Sequence, residues 1–150
     1  MKDTTVDYAL RATWQAVTKM YNEEAKNYET TMAIGFTLLS IDPKTGTPST
    51  ALGPKMGMEA TSLSRIIKSI EAKGLIERKP NPDDGRGVLI HLTELGLEKR
   101  KLSKDVVMRF NEVVKLNIPN EKLQNFFEVT DTINKLIAEK KVYIKNSTTK

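Results

Sequence analysis

Residues Met58 to Thr93 constrain this chain more than any other stretch, because their spacing changes from that of a helix to that of a strand pair within a few residues. Leu63, Ile66, Ile67 and Ile70 recur at i, i+3, i+4 and i+7, which stacks apolar side chains on one helical face. Turning the wheel by about 100° per residue puts Thr61, Arg65, Lys68 and Ala72 on the opposite side, with Ser62 and Ser64 beside them. One face is built for a core; the other carries hydroxyls and cations without an acid. Gly74 follows Lys73 where a helix ends on a left-handed residue, so the spacing predicts a helix over roughly Ala60 to Lys73. Leu75 and Ile76 then resume burial in an extended segment.

Val88, Ile90 and Leu92 alternate with Leu89, His91 and Thr93, the period of a half-buried strand. The Pro/Asn/Asp/Gly-rich run before them predicts a hairpin whose tip is Asp83-Asp-Gly-Arg-Gly87. Such a tip holds Arg86 on flexible backbone, with Asp84 two residues earlier to orient it. An Arg presented this way suits a narrow minor groove, where negative potential concentrates. The cationic helix face suits a major groove, where Arg bridges the two acceptors of a guanine edge.

The flanks are helical. From Thr5 to Glu29, Val6, Leu10, Trp14, Val17, Tyr21, Ala25 and Tyr28 step by three or four. At roughly 1.5 Å per residue this helix exceeds about 30 Å, too long to be covered by one small domain, and so implies a partner surface. Thr31 to Ile41 is apolar almost all round, which by periodicity alone suits a buried helix or a buried strand. Asp42 to Pro48 reads as a loop. Ser49 to Met56 reads as a short helix capped by Ser49 or Thr50, weakened by Gly53-Pro54 and followed by a turn at Gly57. A second long helix is expected from Glu94 to about Leu116, and a third from Pro119 or Asn120 to about Lys141, before a polar, frayed tail from Lys145 to Lys150.

Composition excludes several functions. The 150 residues include no cysteine and one histidine, which rules out disulfides, a thiol nucleophile, thiolate metal sites and a His-rich zinc site. No Ser/His/Asp arrangement, phosphate loop or dinucleotide fingerprint appears, so an enzyme is poorly supported and no cofactor is expected. No apolar run approaches the roughly 18 residues of a membrane span, and no secretory signal begins at Met1; a cytoplasmic protein without a membrane partner is expected. The net charge of +5 favours a polyanionic partner, but residues 50 to 93 carry seven basic and five acidic side chains, so placement matters more than the sum.

The run Thr61-Ser-Leu-Ser-Arg65, the Glu71-Ala-Lys-Gly-Leu-Ile-Glu-Arg78 after it, the Asp84-Gly-Arg86 tip and the Leu92-Thr-Glu-Leu-Gly96 exit together resemble the multiple-antibiotic-resistance regulator (MarR) family of winged helix-turn-helix repressors. Two departures stand out: Glu59 occupies the usual Ser or Thr cap position, and Gly85 replaces the usual basic residue beside the wing Arg. The resemblance favours helix for Thr31 to Ile41. It implies a mostly α fold with a small β-wing, in which four helices, a two-stranded wing and two further helices form one winged-helix regulator domain. Residues 30–95 would be the DNA-binding lobe, and residues 1–29 and 96–145 the helical dimerisation region.

The resemblance further implies a homodimeric transcriptional repressor of double-stranded DNA. Thr61, Ser62, Ser64, Arg65 and Lys68 would lie in the major groove, and Arg86, held by Asp84, in the minor groove. Some family members sense oxidants through thiols and others sense metals; this chain lacks the residues for the thiol route and most of those for the metal route. Others release DNA on binding a small amphipathic or aromatic acid or an acyl thioester. Trp14, Tyr21, Tyr28, Met32 and Phe36 could line such an effector pocket, although aromatics at helical spacing more often form core. The alternative function is a winged-helix protein-interaction module, against which stands the lack of large apolar residues on the outer helix face.

Overall fold

The computed structural model describes residues 4–144. The chain divides at Val107/Met108 into two units.

The first unit begins with α1 (Val6–Lys26), of which only the C-terminal half is covered: Tyr21 and Ala25 are its buried residues. The turn after it runs to Glu29, which takes φ 53 while the Thr30 N–H bonds back to the Ala25 carbonyl. The helix therefore stops three residues before the end that its apolar spacing suggests. The Thr31 to Ile41 run is helical as α2 (Met32–Ser40), started by the Thr31 hydroxyl accepting the Ile34 N–H.

Asp42 to Pro48 is not all loop. Thr47–Pro48 forms a short strand, β1, antiparallel to β3 (Asp84–Leu92), with Thr47 opposite Ile90 and Pro48 opposite Leu89. Proline cannot donate to a ladder and sits here on an edge strand, where no donor is needed. That pairing also corrects the expected cap of α3 (Ser49–Met56). Neither Ser49 nor Thr50 caps it; extended Pro48 occupies the cap position with no side-chain bond. Pro54 lies inside α3, a cost of about 3 kcal/mol in a helix interior. Complete burial of Leu52 opposes that cost, and left-handed Gly57 ends the helix at once.

The fourth helix, α4 (Ala60–Ala72), ends at Gly74 with φ 73, the Leu75 N–H bonding to the Ile70 carbonyl and the Gly74 N–H to that of Glu71. Leu63, Ile67 and Ile70 are buried and Ile66 is partly buried, as the spacing requires. They join Ile34, Leu38, Ile41, Leu52, Leu75, Ile76 and Ile90 in one core. Strand β2 (Ile76–Asn81) pairs with β3, completing a three-stranded antiparallel sheet in the order β1-β3-β2. Ile90, Val88 and Leu92 face the core, so the alternation in β3 is as read. The hairpin tip is corrected: Asn81 pairs with Asp84, which leaves Pro82 and Asp83 as the turn and puts Asp84 to Gly87 in the strand. The fifth helix, α5 (Glu94–Asn117), begins in this unit.

In the second unit α5 ends at Asn117, and α6 (Asn120–Ala138) starts after Pro119. It ends three residues before Lys141 because Lys140 takes φ 55 and the Lys141 N–H bonds back to the Leu136 carbonyl. Phe126 and Phe127 lie 5.6 Å apart between ring centroids and are each about half exposed. Among the described residues no helix is long and apolar enough to cross a membrane. The Lys145 to Lys150 tail lies outside them.

Candidate nucleic-acid interface

The helix-turn-helix is α3, the Gly57 turn and α4. Burial of Leu63, Ile67 and Ile70 fixes the rotation of α4 about its own axis, and the opposite face follows from that rotation alone. Thr61, Ser62, Ser64, Arg65 and Lys68 are all exposed, on one side of the helix. No carboxylate makes an ion pair with Arg65 or Lys68 among the described residues. A helix about 10–12 Å across matches a major groove about 12 Å wide. The cap expected to be unusual is so: Glu59 takes the cap position in extended conformation, and its side chain makes no capping bond.

Beside α4, the wing is tied down by a cross-element pair that sequence reading missed: the Arg78 Nε lies 3.0 Å from Glu71 Oε2, joining β2 to the last turn of α4. Both side chains are about 40% exposed, so screening leaves the pair worth at most about 1 kcal/mol. The signal was present as two opposite charges flanking the Gly74 turn. Asp84 is exposed at the start of β3, and Arg86 lies two residues along the same strand. The Arg86 side chain falls outside the described residues, and with it the expected Asp84 to Arg86 contact.

The aromatic residues of α1 and α2 divide differently from expectation. Tyr21, Tyr28, Met32 and Phe36 line one cleft, open to solvent, with about 530 Å³ of atom-free space that includes its mouth. Tyr21 and Phe36 meet edge to face with centroids 5.7 Å apart. Trp14 does not line it and is 57% exposed. Seven residues separate it from Tyr21, roughly 10 Å along the helix, beyond the segment of α1 that packs. Lys99 and Ser103 are the polar residues among those of α5 that complete the wall, and Lys99 is the one charged side chain lining it among the described residues. No local pattern could reveal these two, which arrive from a helix some sixty residues away. Burial raises the Tyr21 phenol above its usual pKa, so it stays a neutral hydrogen-bond donor. No cluster of three or more metal-ligating side chains occurs among the described residues.

A family model described as the MarR family matches residues 31–88, from α2 into β3. The solved structure of the S. aureus MepR–DNA complex superposes with a TM-score of 0.78 at 18% identity, covering 89% of this chain and 99% of that one. The segment from α2 into β3 is thus similar to the MarR family. The chain is 30% identical over 78 residues to YdgJ of Bacillus subtilis, an HTH-type transcriptional regulator, across 52% of this chain. The chain spans about half of that relative's length, 48%. It also resembles the PcaV transcriptional regulator of Streptomyces coelicolor, solved with its natural ligand, with a TM-score of 0.73 at 20% identity over 90% of this chain and 98% of that one. At these identities the structural likenesses carry the fold. These similar proteins are transcriptional regulators rather than enzymes.

Proposed function

We propose that this chain is a transcriptional repressor of the MarR family that binds a pseudo-palindromic site on double-stranded DNA as a homodimer. In this reading α4 lies in the major groove, with Arg65 and Lys68 directed to guanine edges or phosphates and Thr61, Ser62 and Ser64 supplying hydroxyl contacts. The wing, with Asp84 and Arg86, lies over the adjacent minor groove. Residues 30–95 act as the reading lobe, and residues 1–29 with 96–145 as the dimer base. The observation that carries the reading is the outer face of α4: five polar residues exposed, two of them cations without an acidic ion-pair partner among the described residues, opposite an apolar face that buries Leu63, Ile67 and Ile70.

The dimer is supported by apolar surface left open in each unit. Val6, Tyr8, Leu10 and Trp14 of α1 are 42–62% exposed, and Phe126, Phe127 and Ile137 of α6 are 50–59% exposed. Surfaces of this kind on helices mark an association site, and twofold closure is its commonest form. The cleft supports control by a small amphipathic or aromatic effector, which would shift the protein away from its DNA-bound form.

Selection of duplexes from a random-sequence library by the full chain tests the reading. An imperfect palindrome with half-sites about one helical turn apart is expected. Arg65→Ala should then cost roughly 1–3 kcal/mol on the selected duplex, and Arg86→Ala should reduce the salt slope by about one. Binding to every duplex at the non-specific level of about 10⁻⁴–10⁻⁶ M would instead favour a protein-interaction module.

A further inference from the structure

Helix α4 and the helix that walls the cleft are joined at Thr93. The Thr93 hydroxyl donates to the Gly74 carbonyl at 2.6 Å and accepts the Gly96 N–H at 3.0 Å, and the Thr93 N–H donates to the Leu75 carbonyl at 3.1 Å. Gly96 is buried, and a Cβ there would run into the Leu75 carbonyl, so the bare backbone of α5 rests directly on the chain leaving α4. Gly74 has φ 73 and open space around it. Without Thr93 it would be the obvious hinge between the two helices. Two turns further along α5, Ser103 lines the cleft, and its Oγ would lie only 3.1 Å from a Cβ on Gly35 of α2.

We propose that Thr93 is a positioning residue for DNA reading: it locks α4 to the first turns of α5, so that an occupant spreading α5 from α2 must carry α4 with it. The inference rests on the DNA-binding reading above. The physical reason is that a helix transmits displacement along its axis with little loss, so the compliance of the path lies at its joint. Here the residue able to swivel, Gly74, has its carbonyl tied to the helix that would move.

The test needs no identified effector. Gly35→Ala sets a Cβ 3.1 Å from the Ser103 Oγ, tighter than ordinary contact, and Gly35→Ala combined with Ser103→Val puts two carbon groups there, so that each presses α5 away from α2 as a built-in occupant. Each is made in the full chain with Thr93 present and with Thr93→Val, and affinity is read on the duplex that the wild-type chain selects. With Thr93 in place, either wedge should weaken binding about tenfold. In the Thr93→Val background the same wedge should change affinity less than about twofold, and Thr93→Ser should restore the full effect. Equal effects in both backgrounds would overturn the proposal, as would folded wedge variants that bind like wild type. If Thr93 only caps α5, Thr93→Val lowers Tm while the wedge effect persists, which also overturns it. Failure of the wild-type chain to select any duplex is a separate result that defeats the DNA-binding reading and this inference with it.

Discussion

Gly96 is the residue at which one added methyl should be felt most. It is buried on the Leu75 carbonyl, so Gly96→Ala must displace either the start of α5 or the strand entry at Leu75. Overpacking against backbone, which cannot rotate away, places the loss at the upper end of the usual 1–3 kcal/mol, read as a fall in Tm. Asp42 offers the opposite kind of site, exposed and electrostatic. Its carboxylate accepts the N–H groups of Thr45 and Lys44 at 2.9 and 2.8 Å, and these bonds lower its pKa below the ordinary 3.8. A depressed carboxylate stabilises the fold above its unfolded pKa, and that contribution disappears as pH falls through the folded value. Asp42→Asn should therefore lower Tm at neutral pH, and the gap from wild type should close below about pH 4.

At the level of elements, α4 is held by its buried face rather than by its charges or its cap. Ile70 is fully buried, so Ile70→Ala should cost about 2–5 kcal/mol, whereas breaking the half-exposed Arg78–Glu71 pair should cost less than about 1. Its N-terminus has room for improvement. The Glu59 side chain makes no capping bond, and the backbone is already extended there, so Glu59→Ser should stabilise the chain by about 0.5–2 kcal/mol. The favourable charge of Glu59 at a helix N-terminus, about 0.3–1 kcal/mol, offsets part of that gain. A chemical-denaturation midpoint above wild type is expected; one below it would show that the charge outweighs the missing bond.

For the whole molecule the open question of contact is set by α1. Only two side chains of the 21-residue α1 are buried, and its exposed Leu10 and Trp14 lie on the uncovered part. A mass near twice 16.9 kDa in sedimentation is expected for the wild type, and Leu10→Glu with Trp14→Glu should shift it toward one chain and weaken binding to the selected duplex in parallel. A doubly substituted chain that stays dimeric would move the interface away from α1.

Composition alone excluded thiol and His-rich metal chemistry, and residue spacing alone determined the two-faced α4, the strand alternation that buries Ile90 and the long terminal helices. Those features are periodic over many residues, so local burial preference and tertiary placement agree. Tertiary structure decided the remainder. The β1 pairing is two residues long and exists only because β3 lies beside it; that same pairing put the cap position of α3 on Pro48. The hairpin turn fell on Pro82 and Asp83 because the register of β2 on β3 set it. Which aromatic residues line the cleft depended on where α2 covers α1, which admitted Tyr21 and left Trp14 outside. Lys99, Ser103 and the Thr93 joint come from α5, and contacts made across such sequence distance leave no periodic trace, since their energy appears only once the helices have met.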